Sequence, residues 1–267
     1  MKLALHDLRV CFGNQRVVDI GELTCDTGKI VALVGESGSG KSMTATAIIG
    51  LAGRLGATVS GSICLDGVEL VGSPESALRP IRGRRIAMIF QNPSGAFNPL
   101  MRVGAVFTRT LRLHGEKSRF AARHRAEAAV AELVLPTSVL DRYPHELSGG
   151  QLQRVAIALA LALDSEVLLA DEPTTMLDVT VQAETLVILR TLTLVHQLAV
   201  LFITHDLAVA AEFADSVAVM KAGRIVESGA TGLVLSAPVS EYTRELIRAV
   251  PVLAIESSGG ESRAGGD

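Results

Sequence analysis

The chain is 267 residues long and 48% apolar, with 25 Lys and Arg against 28 Asp and Glu, a formal net charge of -3. That length suits one large domain or two small ones, and the near-balanced charge supplies no pull toward nucleic acid, so no nucleic-acid partner is expected. The cysteines Cys11, Cys25 and Cys64 show no metal-ligand spacing and read as small core residues in a reducing compartment.

Residues 3–10 alternate loosely as a strand, and Asp7 and Arg9 exclude a signal peptide or membrane span there. Residues 29–34 are a continuous β-rich apolar run that ends in a glycine cluster, the pattern of a buried strand feeding a loop, and 43–51 read as a helix. Residues 59–70 alternate around Asp66-Gly67, a strong hairpin signal, and 85–90 read as another buried strand. From 92 to about 164 the pattern is helical; its longest apolar run, 155–163, ends at Asp164 and is too short to cross a bilayer. Strand signals return at 167–170 and 199–204 around a helix over 181–194, and 216–220 with 224–228 form a second hairpin at Ala222-Gly223. The alternation predicts an α/β fold: a parallel sheet with helices on both faces, carrying a helical insertion over about 92–164. One compact unit over 1–251 fits better than two domains, and the Gly- and Ser-rich tail, 252–267, is expected to be disordered.

Three motifs carry chemistry. Gly35-Glu36-Ser37-Gly38-Ser39-Gly40-Lys41-Ser42 is a complete phosphate-loop pattern, with a strand before it and a helix after it. Its glycines let backbone N–H groups turn toward phosphate oxygens, the helix N-terminus adds positive potential, Lys41 reaches the β- and γ-phosphates, and Ser42 offers a hydroxyl to Mg²⁺. The apolar run 167–170 ends in Asp171, a second oxygen ligand for Mg²⁺, and then Glu172, placed to accept a proton from an attacking water. Leu147-Ser148-Gly149-Gly150-Gln151 opens a helix, with Ser148 as its cap and two glycines baring backbone N–H groups to an anion.

Taken in that order, these motifs resemble the ATP-binding-cassette ATPases over about residues 3–251. The resemblance implies a P-loop NTPase cassette: a parallel-sheet core, an N-terminal antiparallel β subdomain and an inserted α-helical subdomain. It implies that Phe12 stacks on adenine, that Gly35, Ser37, Gly38, Ser39, Gly40, Lys41, Ser42 and Met43 bind ATP, and that Ser42, Gln91 and Asp171 hold Mg²⁺. Glu172, His205 and Gln91 are then the catalytic groups. Ser148, Gly149, Gly150 and Gln151 act on the ATP of a second cassette, in a head-to-tail dimer joined through Asp178. Leu152 and Met176 depart from the family pattern, and Met176 in the joining loop points to a paralogue as well as to self as the second ATPase subunit.

The stretch from Gln91-Asn92-Pro93 to Asn98-Pro99, and the tail containing Tyr242-Thr243-Arg244-Glu245-Leu246, resemble the ATPases of peptide and nickel importers. The absence of cysteine after Cys64 and the stop soon after Pro251 favour the nickel or metallophore members. This implies two membrane permease subunits, an extracytoplasmic binding protein acting indirectly, and a peripheral position on the cytoplasmic face of the inner membrane. Phe97, Pro99, Leu100 and Val103 are candidate permease contacts. A cassette ATPase acting on DNA or ribosomes is the competing reading; its long coiled-coil insertions or second cassette are not seen. A GTPase reading lacks an Asn-Lys-x-Asp motif.

Overall fold

The computed structural model describes residues 1–175 and 177–250; Met176 and the expected disordered tail lie outside the described residues. In chain order, β1 (Leu3–Phe12) and β2 (Gln15–Cys25) form a hairpin, and β3 (Ile30–Val34) runs into α1 (Lys41–Ile48). β4 (Thr58–Leu65) and β5 (Val68–Glu69) turn at Asp66-Gly67, and α2 (Glu75–Ile81) leads to β6 (Ile86–Ile89). Then come α3 (Pro93–Ala96), α4 (Val103–Leu113), α5 (Arg119–Glu132) and α6 (Gly149–Ala162). The last third is β7 (Val167–Asp171), α7 (Val179–Val195), β8 (Ala199–Thr204), α8 (Leu207–Phe213), β9 (Ser216–Lys221), β10 (Arg224–Ala230), α9 (Thr231–Ser236) and α10 (Glu241–Ala249).

Two sheets result. β2-β1-β4-β5 is antiparallel throughout, and the larger sheet runs β10-β9-β3-β8-β7-β6 with only β10 antiparallel. Every residue of β3, β7 and β8 is buried, which is why those segments read as unbroken apolar runs instead of alternating ones. Their side chains go to opposite faces. Val31, Leu33, Val167 and Leu169 pack with Leu5, Ile20 and Ile48 on the side of the antiparallel sheet and α1. Ile30, Leu168, Ala170 and Phe202 pack with Phe107, Leu111, Val130 and Val155 of the helical stretch. A third cluster joins Ala32 and Val34 to Val217, Val219, Val234 and Tyr242. A fully buried Phe or Leu in such a core contributes about 1.5–3 kcal/mol through area removed from water alone.

Candidate functional site

The parallel register gathers distant residues onto one edge. Val34 stands level with Thr204, Ile203 with Asp171, and Ala170 with Ile89. The loops leaving β3, β8, β7 and β6 therefore emerge side by side at the carboxyl ends, where open α/β sheets bind ligands. They carry the 35–42 loop, His205, Glu172 and Gln91.

The phosphate loop wraps the start of α1. Gly40 caps the helix at φ 107, a conformation closed to most side chains, and a Cβ there would meet the Val17 carbonyl at 2.7 Å. Lys41 is buried, 4% exposed, and its Nζ donates to the carbonyls of Gly35 (2.7 Å) and Glu36 (2.8 Å) and to Ser39 Oγ (3.4 Å). Burial pushes the Lys41 ammonium below its ordinary value, opposed by the carboxylates of Glu172, Asp171 and Glu36. Ser42 Oγ donates to Asp171 Oδ1 at 3.0 Å. Burial raises the Asp171 carboxyl and the charge of Glu172 adds to it, against the Ser42 hydrogen bond.

Glu172 holds a left-handed backbone, φ 46, fixed by its N–H donating to the Ile203 carbonyl at 2.9 Å. That turn aims its carboxylate into the cleft. Oε2 accepts from Gln91 Nε2 (2.8 Å) and Thr175 Oγ1 (3.1 Å), and His205 Nδ1 lies 3.2 Å from Oε1. The three residues expected to be catalytic are thus brought to one carboxylate. A cleft of about 480 Å³ lies between the phosphate loop with Met43 on one wall and Gln91, Glu172, Thr175 and His205 on the other. Ser39 and Asp171 are buried behind it. Val17 closes one end. Neither Val17 nor Thr175 was legible as a site residue; Thr175 sits in the segment singled out for Asp178, and a hydroxyl three residues after Glu172 was the available signal.

The other expected residues lie elsewhere. Phe12, at the end of β1, is half-buried against the antiparallel-sheet core and does not line the cleft. Ser148 and Gln151 close a reciprocal cap on α6: the Gln151 N–H donates to Ser148 Oγ (3.2 Å) and the Ser148 N–H to Gln151 Oε1 (3.1 Å). Gly149 is the first residue of that helix, and Gly150 faces α7 so closely that a Cβ would come within 2.5 Å of Val181 Cγ1. Asp178 caps α7, accepting from the Val181 N–H at 3.0 Å. The departure at Leu152 is a core residue, 3% exposed, packed with the helical stretch. Two of the candidate permease contacts are corrected: Phe97 and Val103 are buried in that same core, whereas Pro99 and Leu100 are exposed. Among the described residues no helix is long and apolar enough to cross a membrane.

These features define a nucleotide-binding cassette. The ABC transporter family pattern matches residues 18–175, and the chain belongs to that family. It is 45% identical over 256 residues to the peptidoglycan transport ATP-binding protein YejF of Agrobacterium fabrum, covering 93% of this chain and 47% of that one. It is 42% identical to the oligopeptide transport ATP-binding protein OppD of Lactococcus lactis subsp. cremoris, covering 89% of this chain and 71% of that one. The chain thus spans about half of YejF and most of OppD. The bacterial ABC transporter cassette MJ0796, solved as a dimer and in a post-hydrolysis dimer with ADP and phosphate, superposes with a TM-score of 0.74 at 28% identity, covering 86% of this chain and 98% of that one. The fold expected from the sequence, a parallel-sheet cassette with an antiparallel sheet beside it, is the one found.

Proposed function

We propose that the chain is the ATP-binding and ATP-hydrolysing subunit of an importer, at the cytoplasmic face of the membrane, working with two permease subunits and, through them, an extracytoplasmic binding protein. The observation that carries this is the convergence of Lys41, the Ser42–Asp171 pair and the Glu172 carboxylate, with Gln91 and His205, on one cleft. The names of the relatives, oligopeptide and peptidoglycan transport, favour peptide-like cargo; none of those reported speaks for nickel.

The geometry gives each group work. Lys41 is held by two carbonyls that a triphosphate replaces with charged oxygens, a better partner for a desolvated ammonium. The hydroxyl of Ser42, the carboxylate of Asp171 and the amide of Gln91 form a small all-oxygen donor set. It suits Mg²⁺ arriving with phosphates, and the bound ion would neutralise phosphate charge. No group of three His, Cys, Asp or Glu among the described residues forms a separate metal cage. Glu172 is the general base for water, and Gln91, Thr175 and His205 orient its carboxylate. Ser148–Gln151 lie outside this cleft, so the N–H groups of Gly149 and Gly150, which the reciprocal cap leaves free, serve the ATP of a second cassette, self or paralogue. Lys41→Ala is expected to abolish binding of a fluorescent ATP analogue while leaving the fold, read by circular dichroism, intact. Retained affinity in that variant would refute the phosphate-loop assignment.

A further inference from the structure

α10 reaches back to the phosphate loop. Tyr242, in the first turn of α10, is 6% exposed and belongs to the same buried cluster as Val34, the last residue of the strand feeding the loop, and Val219 of β9. The Lys221 ammonium lies 4.2 Å from the ring centroid on its face. The phenol oxygen accepts from the Glu36 N–H at 3.3 Å. The other side of residue 36 is held as well, since its carbonyl accepts from Lys41 Nζ at 2.8 Å. The start of α10 is itself pinned: Glu227 of β10 accepts from the N–H groups of Val239 and Ser240 at 2.8 and 3.0 Å.

Resting on the nucleotide reading above, we propose that Tyr242 is a positioning residue for ATP, whose hydroxyl fixes the Glu36 peptide so that the phosphate loop keeps its binding shape when Lys41 leaves the Glu36 carbonyl for a phosphate. Before ATP binds, three partners hold that residue: Tyr242 on its N–H, and Lys41 Nζ and the Ser39 N–H, at 3.2 Å, on its carbonyl. After the lysine moves, the Ser39 N–H still holds the carbonyl, and the hydrogen bond to Tyr242 is the one that holds the N–H of residue 36. α10 thereby becomes part of the site, anchored outside the sequence motifs that bind phosphate. Its other end reaches the turn after β8: Leu246, Ala249 and Val250 share a groove of about 500 Å³ with His205 and Leu207. Burial, with added charge from Glu36, raises the phenol above its ordinary value, so the oxygen accepts as a neutral hydroxyl at physiological pH.

Tyr242→Phe deletes only the hydroxyl and leaves the ring beneath Lys221. Loss of one neutral hydrogen bond at the loop is expected to weaken binding of a fluorescent ATP analogue about three- to tenfold, with a matching rise in KM and kcat within about twofold. A merely structural tyrosine would lower the melting temperature and leave the dissociation constant alone. Tyr242→Leu, which also removes the ring, is the second variant, expected to lower both affinity and melting temperature. If the wild-type chain binds the analogue and Tyr242→Phe binds it equally well, the positioning role is wrong while the nucleotide site stands. If the wild-type chain does not bind it, the nucleotide reading fails and takes this inference with it.

Discussion

Asp171 carries a charge in a place that does not favour it. Its carboxyl is raised above the ordinary value of 3.8, first by burial and then by Glu172. A carboxyl with a raised folded value is most compatible with the fold when protonated. Its stabilising contribution is complete below the unfolded value and is lost as pH rises through the folded one, so at neutral pH the ionised group opposes folding. Asp171→Asn keeps an acceptor for Ser42 and removes that charge. It is expected to raise the melting temperature of the nucleotide-free chain at pH 7 by about 1–4 °C, a gain that shrinks toward acid pH, while Mg²⁺-dependent ATP affinity falls. Scanning fluorimetry across pH reads the first effect; a melting temperature that falls at pH 7 would contradict it. The buried ammonium of Lys41 is displaced in the opposite direction for the same reason, and in the proposed complex a metal-bound triphosphate would partner both charges.

At the scale of elements, the starts of α6 and α7 meet at Gly150 and Val181. Gly150→Ala drives a methyl into Val181 and is expected to cost about 1–3 kcal/mol in urea denaturation. Val181→Ala in the same chain is expected to recover most of that loss; no recovery would mean that Gly150 is not a packing glycine. The same physics explains what could be read from sequence. β3, β7 and β8 were legible because burial on both faces leaves unbroken apolar runs. β2 was not, because polar residues punctuate all of its 11 residues. α8, α9 and α10 have 7, 6 and 9 residues, too short to show a helical period, and α2 hides behind Pro80. Lys41, Ser42, Asp171 and Glu172 could be singled out as candidates because each sits in a local motif. Val17, Thr175 and Tyr242 reach the site through tertiary placement, which no local spacing records. Phe97 and Val103 were misplaced because an apolar residue in a helical stretch serves a core as readily as a docking face.

At the scale of the molecule, the two helix starts proposed to meet phosphate, at α1 and α6, do not share a cleft. A site that needs both must take one from another copy or from a paralogue, and the MJ0796 cassette to which the chain is similar was solved as a dimer. On the proposed reading, association depends on the nucleotide that lies between the halves. The Glu172→Gln chain with ATP is expected to run as a dimer in gel filtration with light scattering, and Ser148→Arg added to it to run as a monomer. A dimer that forms equally well without ATP would break the link between closure and nucleotide. The proposed hydrolysis turns on Glu172 as the base in a bound ATP complex. The direct test is to measure ATP binding and phosphate release on the same samples of wild-type and Glu172→Gln protein. Affinities are expected to lie within about threefold of each other, with at least a hundredfold loss of hydrolysis in the variant. Hydrolysis at the wild-type rate by Glu172→Gln would contradict that role.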